Sequence, residues 1–254
     1  MRILHIHAHP DDAEIFSGGT LARLTALGHH VTIATMTPGD CGSHHHSPDE
    51  IAAIRRGEAA RGAALIGAEY FCAEFRDLAI FDDDDARRRV TAVLRRTRPD
   101  LVITASPIDY HCDHEATSRL VRDACFAAPA PNYSAPGGFA PIQAIPHLYF
   151  ADPAEGTDRD SRPAVPHFVV DITGTLAAKR DMLAAHESQR LWLKEHHGMD
   201  DYLVTMEEWS AKVGQHAGVA FGEGFRHYKM HPYPVTPLLE DLLGSALVHR
   251  VAAA

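Results

Sequence analysis

Two short stretches of this chain gather side chains that can bind a metal ion and move a proton. The first is His9-Pro10-Asp11-Asp12-Ala13-Glu14, standing where an apolar run ends and a helical pattern begins. Proline restricts the residue before it to extended backbone, so His9 stays outside the helix while Asp12 can open it. Asp11 and Asp12 then project in different directions. One carboxylate can ligate a metal while its neighbour faces a water or a substrate, the division that a hydrolytic zinc site requires. A bare helix cap accounts for the pair equally well. The second stretch is Pro107-Ile108-Asp109-Tyr110-His111-Cys112-Asp113-His114. A spacing of three lets His111 and His114 face one cavity if a helix starts there, and Asp113 between them can accept a hydrogen bond that fixes a ring tautomer. Counted with His9 and Asp12, two imidazoles and a carboxylate with a further base and acid beside them match an open catalytic zinc site.

Groups so far apart in sequence need a scaffold to meet, and the hydrophobic pattern supplies an alternating one. Residues 3–8 predict a buried strand, followed by a Pro-Asp-Asp turn and a helix over 13–27 that ends at Gly28. A second strand, 30–36, is rich in β-branched residues and again runs into a turn, Pro-Gly-Asp. Helices follow over 49–67, with Ser47 or Asp49 as cap, over 85–98 and over 115–127, with a strand at 101–104 after Pro99. Both clusters therefore fall at the carboxyl ends of strands in a mainly parallel sheet, where open α/β folds hold their ligands. The acidic run 82–85 reads as a solvated turn before a helix. Residues 129–146, rich in Pro, Gly, Ala and Asn, predict an irregular surface excursion and a candidate substrate lid. Strands over 147–151 and 167–170, a long helix over 173–194 and a shorter one over 206–217 complete the pattern. No repeat or linker divides it, so residues 1–254 are expected to form a single domain.

Composition narrows the function. Hydrophobic residues at 45% and charged residues at 23% allow a full core. The 34 acidic against 24 basic side chains leave a charge of −10, which repels phosphate backbones and anionic lipid surfaces. No nucleic-acid partner is expected. The amino terminus has no basic start leading into an apolar stretch, and no run approaches the ~18 apolar residues of a membrane span. A cytoplasmic protein without a membrane span is the expectation, and a homo-oligomer is left open. Cys41, Cys72, Cys112 and Cys125 form no CxxC pair and read as free thiols. The first turn lacks G-x-G-x-x-G, and its two carboxylates would repel a pyrophosphate, which argues against a dinucleotide-binding module.

AHPDDAE at 8–14 and PIDYHCDH at 107–114 resemble the two signature motifs of the PIG-L (LmbE-like) deacetylase family. The resemblance continues, in the expected order, through GDCGS at 39–43, IRRGEAARGAALIGA at 54–68, AAKRDMLAAHESQ at 177–189 and GEGFRHY at 222–228. It implies a single-domain Rossmann-like α/β fold with a mainly parallel sheet flanked by helices. It implies hydrolysis of an N-acyl group, usually acetyl, on a small-molecule amino sugar or conjugate, without choosing among sugar lipids, thiol glycosides, chitooligosaccharides and glycopeptide sugars. Carried over by motif position, it makes His9, Asp12 and His114 the zinc ligands, Asp11 the general base and a protonated His111 the oxyanion partner. Asp113 then holds His111 or serves as a cap. Fe²⁺ suits the same donors. Arg55 and Asp77 fall where substrate contacts are implied, and His186 in a buried hydrogen-bond network. The His44–His46 run reads as a solvated loop or as the rim of the pocket, and Cys112 as turned away; the family's glutamate in the 40s loop is not evident. An amidase acting on a non-sugar or thiol-conjugate amide, and an inactive sugar- or metal-binding homologue, are the alternatives.

Overall fold

In the computed structural model, which describes residues 1–197 and 202–251, the apolar amino-terminal run becomes the middle of a sheet. The strands are β1 (Arg2–His7), β2 (His30–Thr35), β3 (Glu69–Cys72), β4 (Leu101–Thr104), β5 (His147–Ala151), β6 (Phe168–Asp171), β7 (Gly222–Tyr228) and β8 (Val248–Arg250). Their order across the sheet is β3-β2-β1-β4-β5-β7-β6-β8. The first five run parallel; β7 is antiparallel to both its neighbours, and β8 to β6. Helices α1 (Asp12–Ala26), α2 (Pro48–Leu65), α3 (Asp84–Thr97), α4 (Cys112–Ala127), α5 (Leu176–Ala184), α6 (Glu187–His197), α7 (Tyr202–Gln215) and α8 (Leu238–Leu243) connect and cover them.

Alternate residues of the central strands feed two cores. Leu4, Ile6 and Val102 pack with Val90, Leu94 and Leu120 of α3 and α4 on one face. Ile3, Ile33 and Ile103 pack with Leu21, Leu24 and Met182 on the other. Strands buried on both faces read as continuous apolar runs, which is why β1, β2 and β4 were legible as strands. The chain order reverses between β1 and β4, and ligands bind at such a switch point. Both chemical clusters leave the sheet there.

Helix starts obey local rules. Ser47 and Glu50 form a reciprocal cap on α2, and Asp83 accepts the Ala86 N–H at 2.8 Å to start α3, so the acidic run is the solvated helix opening it was expected to be. In the middle of α1 a carboxylate from β7 intrudes: Glu223 accepts the N–H groups of Gly19 at 2.9 Å and Thr20 at 2.8 Å, and the ammonium of Lys179 at 2.8 Å. Gly19 has no room for a side chain, since a Cβ there would stand 2.7 Å from Ile172.

The structure departs from the sequence pattern in several places. The helix expected over 173–194 is a 3-10 turn (Thr173–Thr175) followed by α5 and α6, broken at Ala185 and His186. Glu58 of α2 takes the Ser188 N–H at 2.9 Å and so catches the first turn of α6 on a new axis. The helix expected at 206 begins at Tyr202. The excursion 129–146 packs against α3, where Arg88 bonds the Ser134 carbonyl at 2.7 Å; none of it lines the cavity described below, so it is not a lid. Strands β3, β7 and β8 and helix α8 had no counterpart in the sequence reading. Among the described residues no helix is long and apolar enough to cross a membrane.

Candidate active site

The β1–α1 and β4–α4 turns meet over the switch point and bring four of the expected residues together around Asp12. His9 Nδ1 lies 3.5 Å from Asp12 Oδ2 and His114 Nε2 lies 3.4 Å from Asp12 Oδ1. Each imidazole turns its other nitrogen to an outer carboxylate, His9 Nε2 to Asp113 Oδ2 at 3.1 Å and His114 Nδ1 to Asp109 Oδ1 at 3.1 Å. Metal-ligating histidines are oriented in this way. The donors fit a divalent ion: ligand atoms of His9, His111 and His114 lie within 4.8 Å of one another, as do those of His7, Asp12 and His114, and Asp12 and His114 are buried while His9 is partly so.

His111 is the N-cap of α4, its Nδ1 accepting the Asp113 N–H at 3.2 Å, and its ring stands 4.9 Å from that of His114. That leaves Nε2 to face the cavity. Asp11 caps nothing. It sits at φ 95°, left-handed backbone that a side-chained residue rarely adopts, and makes no cap hydrogen bond. Its carboxylate instead accepts a bond from the Tyr202 hydroxyl and lies 3.9 Å from Arg55 Nη2. The helix-cap reading of the acidic pair is thereby removed.

Electrostatics sort these groups. Burial pushes the Asp11 carboxyl up to about 6, with Arg55 opposing and the Asp12 charge adding to it. Burial would also raise Asp12, but the charges and hydrogen bonds of His7 and His114 outweigh it and hold Asp12 well below the usual range. Burial lowers His9 and His114, yet Asp113 and Asp12 lift His9 to about 9, and Asp12 with Asp109 lifts His114 to about 10. The site therefore attracts positive charge. His111 behaves differently: burial and then its two histidine neighbours lower it, which favours a neutral ring.

Other expected residues land nearby in different roles. Asp113 holds His9 rather than His111, with which only its backbone N–H engages; its Oδ2 also takes the Leu78 N–H at 2.7 Å. Arg55 is buried on the pocket wall, donating to the Pro10 carbonyl at 2.9 Å and packing against Gly39, where a Cβ would meet the guanidinium at 2.5 Å. Asp77 lines the pocket too, but its carboxylate bonds Thr37 and the Cys41 N–H and so pins the GDCGS loop. Cys112 is exposed, its Sγ 3.8 Å from Asp113 Oδ1. His186 is buried 3.3 Å from Glu14 Oε1, an ion-pair contact rather than a hydrogen-bond network. His44 packs on Trp192, a pocket residue, so the histidine run does reach the rim. Sequence reasoning missed His7, whose Nδ1 is 2.6 Å from Asp12 Oδ2, as well as Asp109 and Tyr202. The cavity over these groups measures about 430 Å³ and is roofed by Gln189, Trp192 and Leu193 of α6 and by Tyr202 and Trp209 of α7.

The family model described as PIG-L, GlcNAc-PI de-N-acetylase, matches residues 4–125, the span that holds both motifs. A 1D-myo-inositol 2-acetamido-2-deoxy-alpha-D-glucopyranoside deacetylase of Streptomyces avermitilis is 31% identical over 242 residues, 74% of this chain and 82% of that one. The chain belongs to the PIG-L family. Among solved structures, an N,N'-diacetylchitobiose deacetylase from Pyrococcus horikoshii superposes on this PIG-L chain with a TM-score of 0.76 at 28% identity, covering 93% of this chain and 88% of that one. A 4-carboxy-2-hydroxymuconate hydratase from Pseudomonas putida has a TM-score of 0.72 at 20% identity, over 93% of this chain and 100% of that one, and shares the fold.

Proposed function

We propose that this PIG-L chain is a metal-dependent hydrolase that removes an N-acyl group, in the first instance N-acetyl, from an amino sugar or its conjugate. The observation that carries the reading is the pairing of a donor set, His9, Asp12 and His114, with a separate carboxylate, Asp11, which is the neighbour of a ligand without being one. The deacetylase relatives support the same chemistry.

His9, Asp12 and His114 would hold the ion. Zn²⁺, or Fe²⁺ on the same donors, would acidify a water and polarise the acyl carbonyl. Asp11, raised to about 6, is poised to accept the proton of the attacking water near neutral pH. Tyr202 donates to one oxygen of Asp11 and fixes its plane. His111, neutral and with Nδ1 already accepting a backbone N–H, donates from Nε2 to the oxyanion as it develops. The leaving amine then takes the proton that Asp11 collected. Metal-loaded protein assayed against N-acetylated sugars, sugar conjugates and simple acyl amides, with free amine as readout, tests the proposal. Release of amine only from non-sugar amides would replace the sugar assignment, and no release from any would remove the hydrolase reading.

A further inference from the structure

After β5 the chain leaves the sheet beside the His114 turn, and Ala154 lines the cavity over the site. Beyond it the chain runs out and back as a short hairpin: Thr157 and Pro163 are antiparallel partners, and the Ala164 N–H bonds the Gly156 carbonyl at 2.9 Å. Asp158 locks the tip, its Oδ1 taking the N–H groups of Asp160 and of Arg162 at 2.9 Å each, so Arg159 sits inside a closed turn. The base is tied as well. Lys212 donates to the Glu155 carbonyl at 2.9 Å, and Arg226 to that of Ala164 at 2.7 Å.

From this turn Arg159 reaches α4. Its Nε donates to Glu115 Oε1 at 2.7 Å and its Nη2 donates to Glu115 Oε2, the two-pronged pairing that fixes a carboxylate plane. Glu115 follows His114 directly, and its Oε1 also accepts the Asp109 N–H at 3.0 Å. Asp109 in turn is the carboxylate whose Oδ1 lies 3.1 Å from His114 Nδ1. The hairpin grips Asp109 a second time, because the Ala154 N–H donates to its Oδ2 at 3.3 Å. An exposed ion pair contributes little, but here one end is buried: the Glu115 side chain is 6% exposed against 62% for Arg159. Arg119 Nη2, at 4.0 Å from Glu115 Oε2, is too far to donate in its place. Without the guanidinium, Glu115 is a buried carboxylate pressed against a second one, and any turn it makes toward water pulls on the Asp109 backbone.

We propose that Arg159 is a positioning residue for the candidate metal centre: through Glu115 it sets the Asp109 backbone, and Asp109 sets the ring of His114. This role rests on the metal-dependent hydrolase reading and deepens it, by making a hairpin outside both motif turns part of the donor geometry. The direction of the effect separates positioning from charge. Loss of a cation near the centre by itself favours a divalent ion, so weaker metal binding has to come from displaced donors.

Titration of the full chain with Zn²⁺ against a chelating indicator tests it. Arg159→Ala should weaken zinc about 10–100-fold, the cost of disturbing an outer partner of a ligand. Adding Glu115→Gln restores the parent's net charge and keeps an oxygen for the Asp109 N–H, so the double variant should return to within about threefold of the parent. Arg162→Ala, in the same hairpin with the exposed Asp160 as its partner, should stay within about twofold. A second readout needs neither zinc nor substrate: in metal-free protein the imidazole NMR resonances of His114 should shift in Arg159→Ala and recover in the double variant. Zinc affinity unchanged or tighter in Arg159→Ala, unshifted His114 resonances, or a double variant no better than Arg159→Ala would each overturn the positioning role and leave the hydrolase reading standing. A parent that takes up no zinc would overturn the metal centre and this role together.

Discussion

Asp11 is held in a backbone conformation that costs about 1–3 kcal/mol for a residue with a side chain, and it makes no cap bond in return. Such strain is retained where the side chain must point somewhere particular. If that purpose is proton transfer, Asp11→Asn should keep a full equivalent of metal and its fold while kcat drops about 10²–10⁴-fold; turnover within a few-fold of the parent would take Asp11 out of the reaction. His9→Ala, Asp12→Ala and His114→Ala should instead each lose metal on elemental analysis, because each removes a proposed donor from the group in which His9 and His114 both face Asp12. His111→Ala separates the two behaviours: metal is retained, KM holds and kcat falls about 10²–10³-fold, the cost of one oxyanion donor. Release of the metal by this variant would make His111 a ligand. A neutral His111 also changes what a pH profile reports. With Nδ1 accepting the Asp113 N–H, the ring's Nε2 proton is present on both sides of neutrality, so an alkaline fall in kcat should survive the His111 substitution.

At the scale of elements, the sequence disclosed strands buried on both faces and helices with strong starts, and it disclosed the two motif turns because their chemistry is packed into eight residues. It did not disclose β7, whose Gly-Glu-Gly start breaks the apolar pattern, or β3, a four-residue edge strand that is only partly buried. Nor could it show the break at His186, because the helical pattern runs through it and the cause, Glu58, is 130 residues away from Ser188. Asp109 lay inside a quoted motif and was passed over, since His111, Asp113 and His114 after it carried every expected role. Tyr202 left no local sign at all. It sits at the first turn of α7 and reaches Asp11 across 191 positions. Both partners are buried, so Tyr202→Phe should cost about 1.5–3 kcal/mol for a bond to a charged group and lower Tm by several degrees. Thermal unfolding checks it, and an unchanged Tm would mean the hydroxyl is replaced by water at no loss.

For the molecule as a whole, stability carries a pH signature from Asp152, which burial lifts from 3.8 to about 6 against the pull of Arg226. A carboxyl whose folded value exceeds its unfolded one binds its proton more tightly when folded, so it favours the fold at low pH and loses that advantage as pH climbs from about 4 to about 6. Replacing it by Asn removes the dependence. Denaturant melts should show Asp152→Asn gaining on the parent by on the order of 2–3 kcal/mol across that window; a constant difference would place the Asp152 carboxyl at its ordinary value. The position of β7 has a different consequence, for the order in which the chain can be completed during synthesis. It lies between β5 and β6 although it follows both, so a nascent chain cannot lay down its sheet strand by strand from one end to the other. Until residues 222–228 emerge, the edge of β5 is open, β6 has no neighbour on that side, and the amides of Gly19 and Thr20 in α1 lack the Glu223 carboxylate. A fragment ending before residue 222 therefore carries every donor of the candidate metal centre and still should not fold into a metal-binding state. Assembly of the centre is then expected to wait for a strand that contributes no ligand.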